Sequence, residues 1–226
     1  MAVNNPFAAR DQMLQQMLQA PWLPQISSQL QSVLEAEQEK RQRFYEEMSE
    51  EQKTEFINGE VIVQTPVKLR HSQTSDSLFS LLSLHVKKHN LGLVGHEKLL
   101  VCLARNDYEP DISFFEKERA RDFEPNQMKF PAPDFVVEVL SDSTKAVDRG
   151  VKFEDYALNQ VGEYWIVDPE LEIVEQYLLQ DNGYELLVKA NTGTVKSSVV
   201  KGFEIPVRAI FDEEECVVAA QSLLSR

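Results

Sequence analysis

The run PDFVVEVL at residues 133–140 constrains the fold more than any other part of the chain. Pro131 and Pro133 deliver the backbone into it, and its β-branched residues predict a strand in the interior of a sheet, since strands covered on both faces are apolar nearly throughout. Asp142, Ser143 and Thr144 follow as turn and cap residues, 147–158 has the spacing of an amphipathic helix, and EYWIV at 163–167 is a second buried strand, ended by Asp168-Pro169. One residue breaks the apolar logic. Glu138 lies in the middle of the first strand, where an unpaired carboxylate would cost several kcal/mol, so it meets a cation or its face is open to solvent.

The segments before this unit alternate in type. Residues 26–48 are rich in strong helix formers, with Ser27 or Ser28 as N-cap and a thin stripe of Leu30, Val33, Leu34 and Tyr45, which predicts a long helix packed on the main domain or on a partner subunit. The first 24 residues, with Pro6, Pro21 and Pro24, read as loosely ordered or as a short helix. Asn58-Gly59 marks a two-residue hairpin turn, 71–89 a helix with Leu78, Leu81, Leu82 and Val86 on one face and Gly92 as its stop, and 92–97, 98–103 and 111–116 short strands. A last hairpin, about 173–179 and 184–188, turns at Asp181-Asn182-Gly183. The order of strands and helices is an α/β signature, with a helical extension over 1–50 and one domain over 51–226.

Composition narrows the setting. No apolar run approaches the roughly 20 residues that cross a bilayer, and the N-terminus lacks a basic segment followed by an apolar one, so a cytoplasmic protein is expected. Cys102 and Cys216 stand far apart with no metal-ligand spacing and read as ordinary buried thiols. The net charge of −14 weighs against sequence-independent binding to nucleic acid, which depends on Lys and Arg at phosphates. Its distribution softens that objection: residues 51–153 carry 14 basic and 16 acidic groups, residues 154–226 carry 5 and 14.

The nearly neutral middle holds the chemistry. Asp111 follows Pro110 at the start of a strand, and Glu138 comes after a gap of 26 residues on another. Two carboxylates on neighbouring strands suit Mg²⁺ or Mn²⁺, hard cations that take one or two carboxylates plus substrate phosphate and water. A lysine nearby would hold the attacking water and offset developing charge. Position 140, two residues along the same strand, is leucine, so Lys152 in the following helix is the better candidate over Lys145, with Asp148 four residues earlier to brace it. Asp134 is excluded as a partner of Glu138, because four residues along a strand is about 13 Å.

The run PDI together with PDFVVEVLSDSTKAVDRGVKFEDYALNQVGEYWIVDP resembles the Uma-type restriction-endonuclease family, a branch of the PD-(D/E)XK nuclease superfamily, over roughly residues 55–184. The resemblance implies a restriction-endonuclease-like mixed β-sheet flanked by helices and metal-dependent DNA hydrolysis. It implies Asp111, Glu138 and Lys152 as the active site, the two carboxylates as metal ligands, Glu60 as an additional acid and His71 in a lesser role. Dimerisation would let two sites address both DNA strands. Two other functions compete: a catalytically inactive nuclease-fold protein used in binding or assembly, and a metal-dependent hydrolase of another anionic substrate.

Overall fold

The computed structural model describes residues 6–49, 52–181 and 183–225. Helices α1 (Pro6–Leu18) and α2 (Leu23–Glu47) come first. The long helix starts earlier than its serines predict: Pro24 stands in its first turn, where a missing N–H costs little, and no side chain caps it. Strands β1 (Thr54–Ile57) and β2 (Glu60–Val63) form the expected hairpin, with Asn58 and Gly59 both at positive φ, as a two-residue turn of this kind requires. Helix α3 (Leu69–His89) buries the predicted leucine stripe but ends at Asn90, whose left-handed φ of 53° closes it before Gly92 is reached.

Next come β3 (Gly92–His96), β4 (Leu100–Cys102), β5 (Asp107–Tyr108), β6 (Ile112–Glu116), the single turn α4 (Lys117–Ala120), β7 (Lys129–Phe130) and β8 (Phe135–Val139). The helix expected over 147–158 is two, α5 (Lys145–Asp148) and α6 (Val151–Leu158), because Gly150 at φ −114°, ψ −103° leaves helical geometry between them. Strands β9 (Glu163–Asp168), β10 (Ile173–Gln180), β11 (Gly183–Ala190), β12 (Thr194–Lys196) and β13 (Glu204–Pro206) follow, then a 3₁₀ turn (Val207–Ile210) and α7 (Glu213–Ser225). Asn182, in the turn expected between β10 and β11, lies outside the described residues.

Six strands form one sheet in the order β11-β10-β9-β8-β6-β3, and five form another, β2-β1-β5-β4-β7. Consecutive short strands therefore part company: β3 and β4 belong to different sheets, and Glu97, at φ 59°, lies between them. The interior strand predicted from its β-branched run is β8, antiparallel to β6 and parallel to β9. Alternation along β8 sends Phe135, Val137 and Val139 against α3, where Leu78, Leu81 and Leu82 wait with Trp165 and, from α7, Leu223. Val136 goes the other way, to Tyr156, Tyr164 and Ile166 and to Val101 and Tyr108 of the second sheet. Each such side chain contributes about 1.5–3 kcal/mol of burial free energy before entropy is counted. Glu138 shares the face of Val136, so the same alternation turns its carboxyl toward the space between the sheets.

Helix α2 is fixed to the five-stranded sheet by its C-terminal half. Arg41 Nε and Nη2 donate to the two oxygens of fully buried Asp107 at 2.7 and 2.6 Å, Nη2 also reaches the Leu103 carbonyl, and Tyr45 OH lies 3.0 Å from Asp107 Oδ1. The first half of the helix leaves Leu30, Val33 and Leu34 exposed. Cys102 and Cys216 are free thiols, half-buried rather than buried, and burial pushes Cys102 up to about 12. Arg41→Ala leaves Asp107 as a buried charge short of its cation, and urea denaturation should show a loss of about 3 kcal/mol, the size typical of halving such a pair.

Candidate active site

Asp111 stands where the chain passes from β5 in one sheet to β6 in the other. Its carboxyl is held on three sides: Oδ2 accepts the Val139 backbone N–H at 2.8 Å, Oδ1 accepts Lys53 Nζ at 2.7 Å, and His71 Nε2 lies 3.4 Å from Oδ2. Burial alone would raise its pKa, but Lys53 and His71 outweigh burial and hold it well below the usual carboxylate range. The Val139 N–H belongs to the residue after Glu138, so this one hydrogen bond ties Asp111 to the end of β8.

Glu138 is 3% exposed, and its Oε1 accepts Lys152 Nζ at 3.0 Å and Tyr156 OH at 2.9 Å. Lys152 and Tyr156 are one turn apart on α6 and act together on that oxygen. The lysine is no solvated surface group: it also meets Glu55 Oε1 of β1 at 2.8 Å and Asp148 Oδ1 at 3.3 Å, the brace expected four residues earlier. Three carboxyls thus surround one ammonium. Burial pushes Glu138 up; Lys152 pulls it back, but Asp148, Asp111 and Glu55 add to the rise, which brings it to about 8. The Lys152 ammonium, which burial alone would weaken, is held well above its ordinary value by Glu138, Glu55 and Asp148.

Buried Glu163 shows that this fold can also satisfy a carboxylate without a cation. It accepts Trp165 Nε1, Gln176 Nε2, Ser197 Oγ and the backbone N–H groups of Ser198 and Val199. Among the described residues Glu138 has two donors, Lys152 and Tyr156, and it borders a cleft of about 430 Å³ that Asp111, Lys152, His71, Lys53, Glu97, Ser141 and Thr144 also line. Leu140, where a lysine on the strand would have been convenient, packs in the core instead.

The sequence candidates divide accordingly. Asp111, Glu138, Lys152 and His71 meet at the cleft, whereas Glu60 does not: its side chain is 72% exposed and pairs with Lys40 across the surface at 2.9 Å. Asp134 takes the structural part expected of it, accepting the Glu116 N–H and the Arg119 guanidinium. Lys53, Glu55 and Glu97 escaped the sequence reading, as did the hydrogen bond from Tyr156, a packing residue between helix and sheet, to Glu138. Lys53 and Glu55 carry one signal, a spacing of two on a strand, which points both to one face but not toward Asp111 and Lys152.

Among the described residues no group of three or more His, Cys, Asp or Glu side chains is arranged to enclose a metal. The donor set nonetheless fits a hard cation held by two carboxylates. Glu55, Asp111, Glu138, Asp148 and Glu97 bring five carboxyls to two lysines, and a divalent cation would neutralise the surplus. The His71 Nδ1 is buried with no hydrogen-bond partner among the described residues.

Mixed sheets flanked by helices, with buried carboxyls at the seam, define a restriction-endonuclease-like fold. The chain belongs to the Uma2 family, whose model, described as "Putative restriction endonuclease", matches residues 39–208. It is similar to two uncharacterized Synechocystis proteins: sll1609, 28% identical over 128 residues (56% of this chain, 72% of the relative), and slr1290, 28% over 144 residues (63% and 74%). The fold matches the crystal structure of "a putative nuclease belonging to DUF820" from Anabaena variabilis at a TM-score of 0.65 and 21% identity, covering 76% of this chain and 96% of that one. Among the described residues no helix is long and apolar enough to cross a membrane.

The raised Glu138 pKa has a measurable sign. The folded chain keeps this proton from pH 4.5 to about 8 while the unfolded chain loses it, so the group's contribution to stability falls across that window as pH rises. Glu138→Gln removes the dependence. In EDTA, thermal melts should show the variant more stable than wild type at pH 8.5, by about 1 kcal/mol or more, with the difference shrinking toward pH 4.5.

Proposed function

We propose that the protein is a Mg²⁺- or Mn²⁺-dependent endonuclease that hydrolyses phosphodiester bonds in DNA, with Asp111 and Glu138 as the metal-holding pair. The observation that carries this reading is the convergence of these two carboxylates, from the β5–β6 junction and β8, on one cleft with a surplus of negative charge. The Uma2 membership and the name of the Anabaena fold relative support the nuclease class. When bound, the cation polarises a phosphoryl oxygen and lowers the pKa of a water, the chemistry phosphodiester hydrolysis needs.

The chain supplies the rest. The Val139 N–H orients Asp111, and Lys53 keeps it ionised. Tyr156 and Lys152 aim Glu138, and the lysine offsets the charge of Glu55 and Asp148 behind it. His71, at the start of α3, lies 3.4 Å from Asp111 Oδ2 in the lining of the cleft, where it can take up a proton near the reacting phosphate. With a net charge of −14, the protein must hold its substrate through local contacts at this cleft rather than through a broad basic face.

Purified protein should nick or linearise supercoiled plasmid in Mg²⁺ or Mn²⁺ and stop when EDTA is added. Asp111→Ala and Glu138→Ala should each lose at least ~10²-fold of the rate, as removal of a group that stabilises the transition state does. An unchanged rate in Glu138→Ala would remove that residue from the mechanism. A folded wild-type protein that takes up no Mn²⁺ in calorimetry and leaves plasmid intact would overturn the reading.

A further inference from the structure

We propose that Lys53, which lies outside every motif in the sequence, is the lysine of this site that touches the substrate phosphate, and that Lys152 is a positioning residue. The inference rests on the nuclease reading and changes which residue meets the substrate.

Lys152 is enclosed by acids. Its Nζ donates to Glu138 Oε1 at 3.0 Å, with Glu55 Oε1 at 2.8 Å and Asp148 Oδ1 at 3.3 Å in ion-pair range, so the ammonium is surrounded on three sides by buried carboxyls. Its side chain is 1% exposed, and the Tyr108 ring lies 5.6 Å from Nζ. To reach a phosphate it would have to turn away from the buried carboxyls around it and leave them without their cation.

Lys53 differs on each count. Its Nζ meets two carboxylates, Asp111 Oδ1 at 2.7 Å and Glu97 Oε2 at 3.3 Å, and its side chain is 16% exposed at the mouth of the same cleft. Among the described residues, two partners for three donors leave one N–H for a phosphate oxygen. The placement follows from strand geometry. Gln64 N–H donates to the Lys53 carbonyl, which carries the β1–β2 ladder one residue beyond β1, so Lys53 and Glu55 lie on one face. That face sends Glu55 inward to Lys152 and Lys53 outward to Asp111. The ammonium nearest the cleft opening and beside Asp111 is the one a phosphate meets first.

The test uses the full chain as wild type, Lys53→Met, Lys53→Arg and Lys152→Met. Anisotropy of a fluorescein-labelled DNA duplex in EDTA gives binding over a salt series, plasmid cleavage in Mg²⁺ gives the rate, and thermal melts report folding. Loss of one phosphate contact should lower the slope of log K against log salt by about 0.9 in Lys53→Met, with at least tenfold slower cleavage. Lys53→Arg, which keeps the charge, should retain the wild-type slope. Lys152→Met should keep that slope while its melting temperature falls. Wild-type slope and rate in a folded Lys53→Met overturn the proposal, as does loss of slope in Lys152→Met but not Lys53→Met. A wild-type protein that neither binds nor cuts instead refutes the nuclease reading itself, so the two failures are told apart.

Discussion

Lys152 Nζ lies within 3.3 Å of carboxylates from β1, β8 and the end of α5, three parts of the chain that share no backbone ladder. A single buried ammonium therefore ties the five-stranded sheet, the six-stranded sheet and the connection between β8 and β9. None of the four groups is tolerable alone at this depth, because an unpaired buried charge costs more than most single contacts contribute. Together they set where the sheets meet, and the cleft forms at that seam. Asp111, at the crossing between sheets, and Lys53, just before β1, complete it.

The charge balance explains why such a costly arrangement persists. A core optimised for stability would match acids and bases or use neutral donors, as around Glu163. The cleft instead keeps more carboxyls than ammonium groups, with one proton retained on Glu138 into the neutral range. Sites held out of balance in this way trade stability for function.

Much of the architecture was legible because it is local. The β-branched run at β8, the aromatic strand β9 and the Asn-Gly turn each declare themselves within a few residues, and a glutamate inside an apolar strand singles out Glu138 without any structure. Asp111 and Lys152 were legible through the same segment and its resemblance. What escaped was non-local or hidden by geometry. Glu55 and Lys53 lie in a strand that reads as an ordinary hairpin arm, and their partners are about 60 to 100 residues away. The parting of β3 from β4 depends on one left-handed residue, Glu97, a conformation glutamate seldom adopts. The break at Gly150 was obscured by helix formers on both sides. Glu60 had the right charge and the wrong face, since its strand edge meets Lys40 and not the cleft.

The position of Asp111 at the crossover between sheets also bears on how the molecule comes to be competent. Its carboxyl takes a donor from β8 and a histidine from α3 on the side of the six-stranded sheet and a cation from beside β1 on the other, so a folding intermediate that has built only one sheet lacks the Lys53 contact. Local structure can form early and leave the cleft unfinished. The last long-range pairing to close is then the step that completes the cleft, so the geometry around Asp111 reports complete topology, not secondary structure.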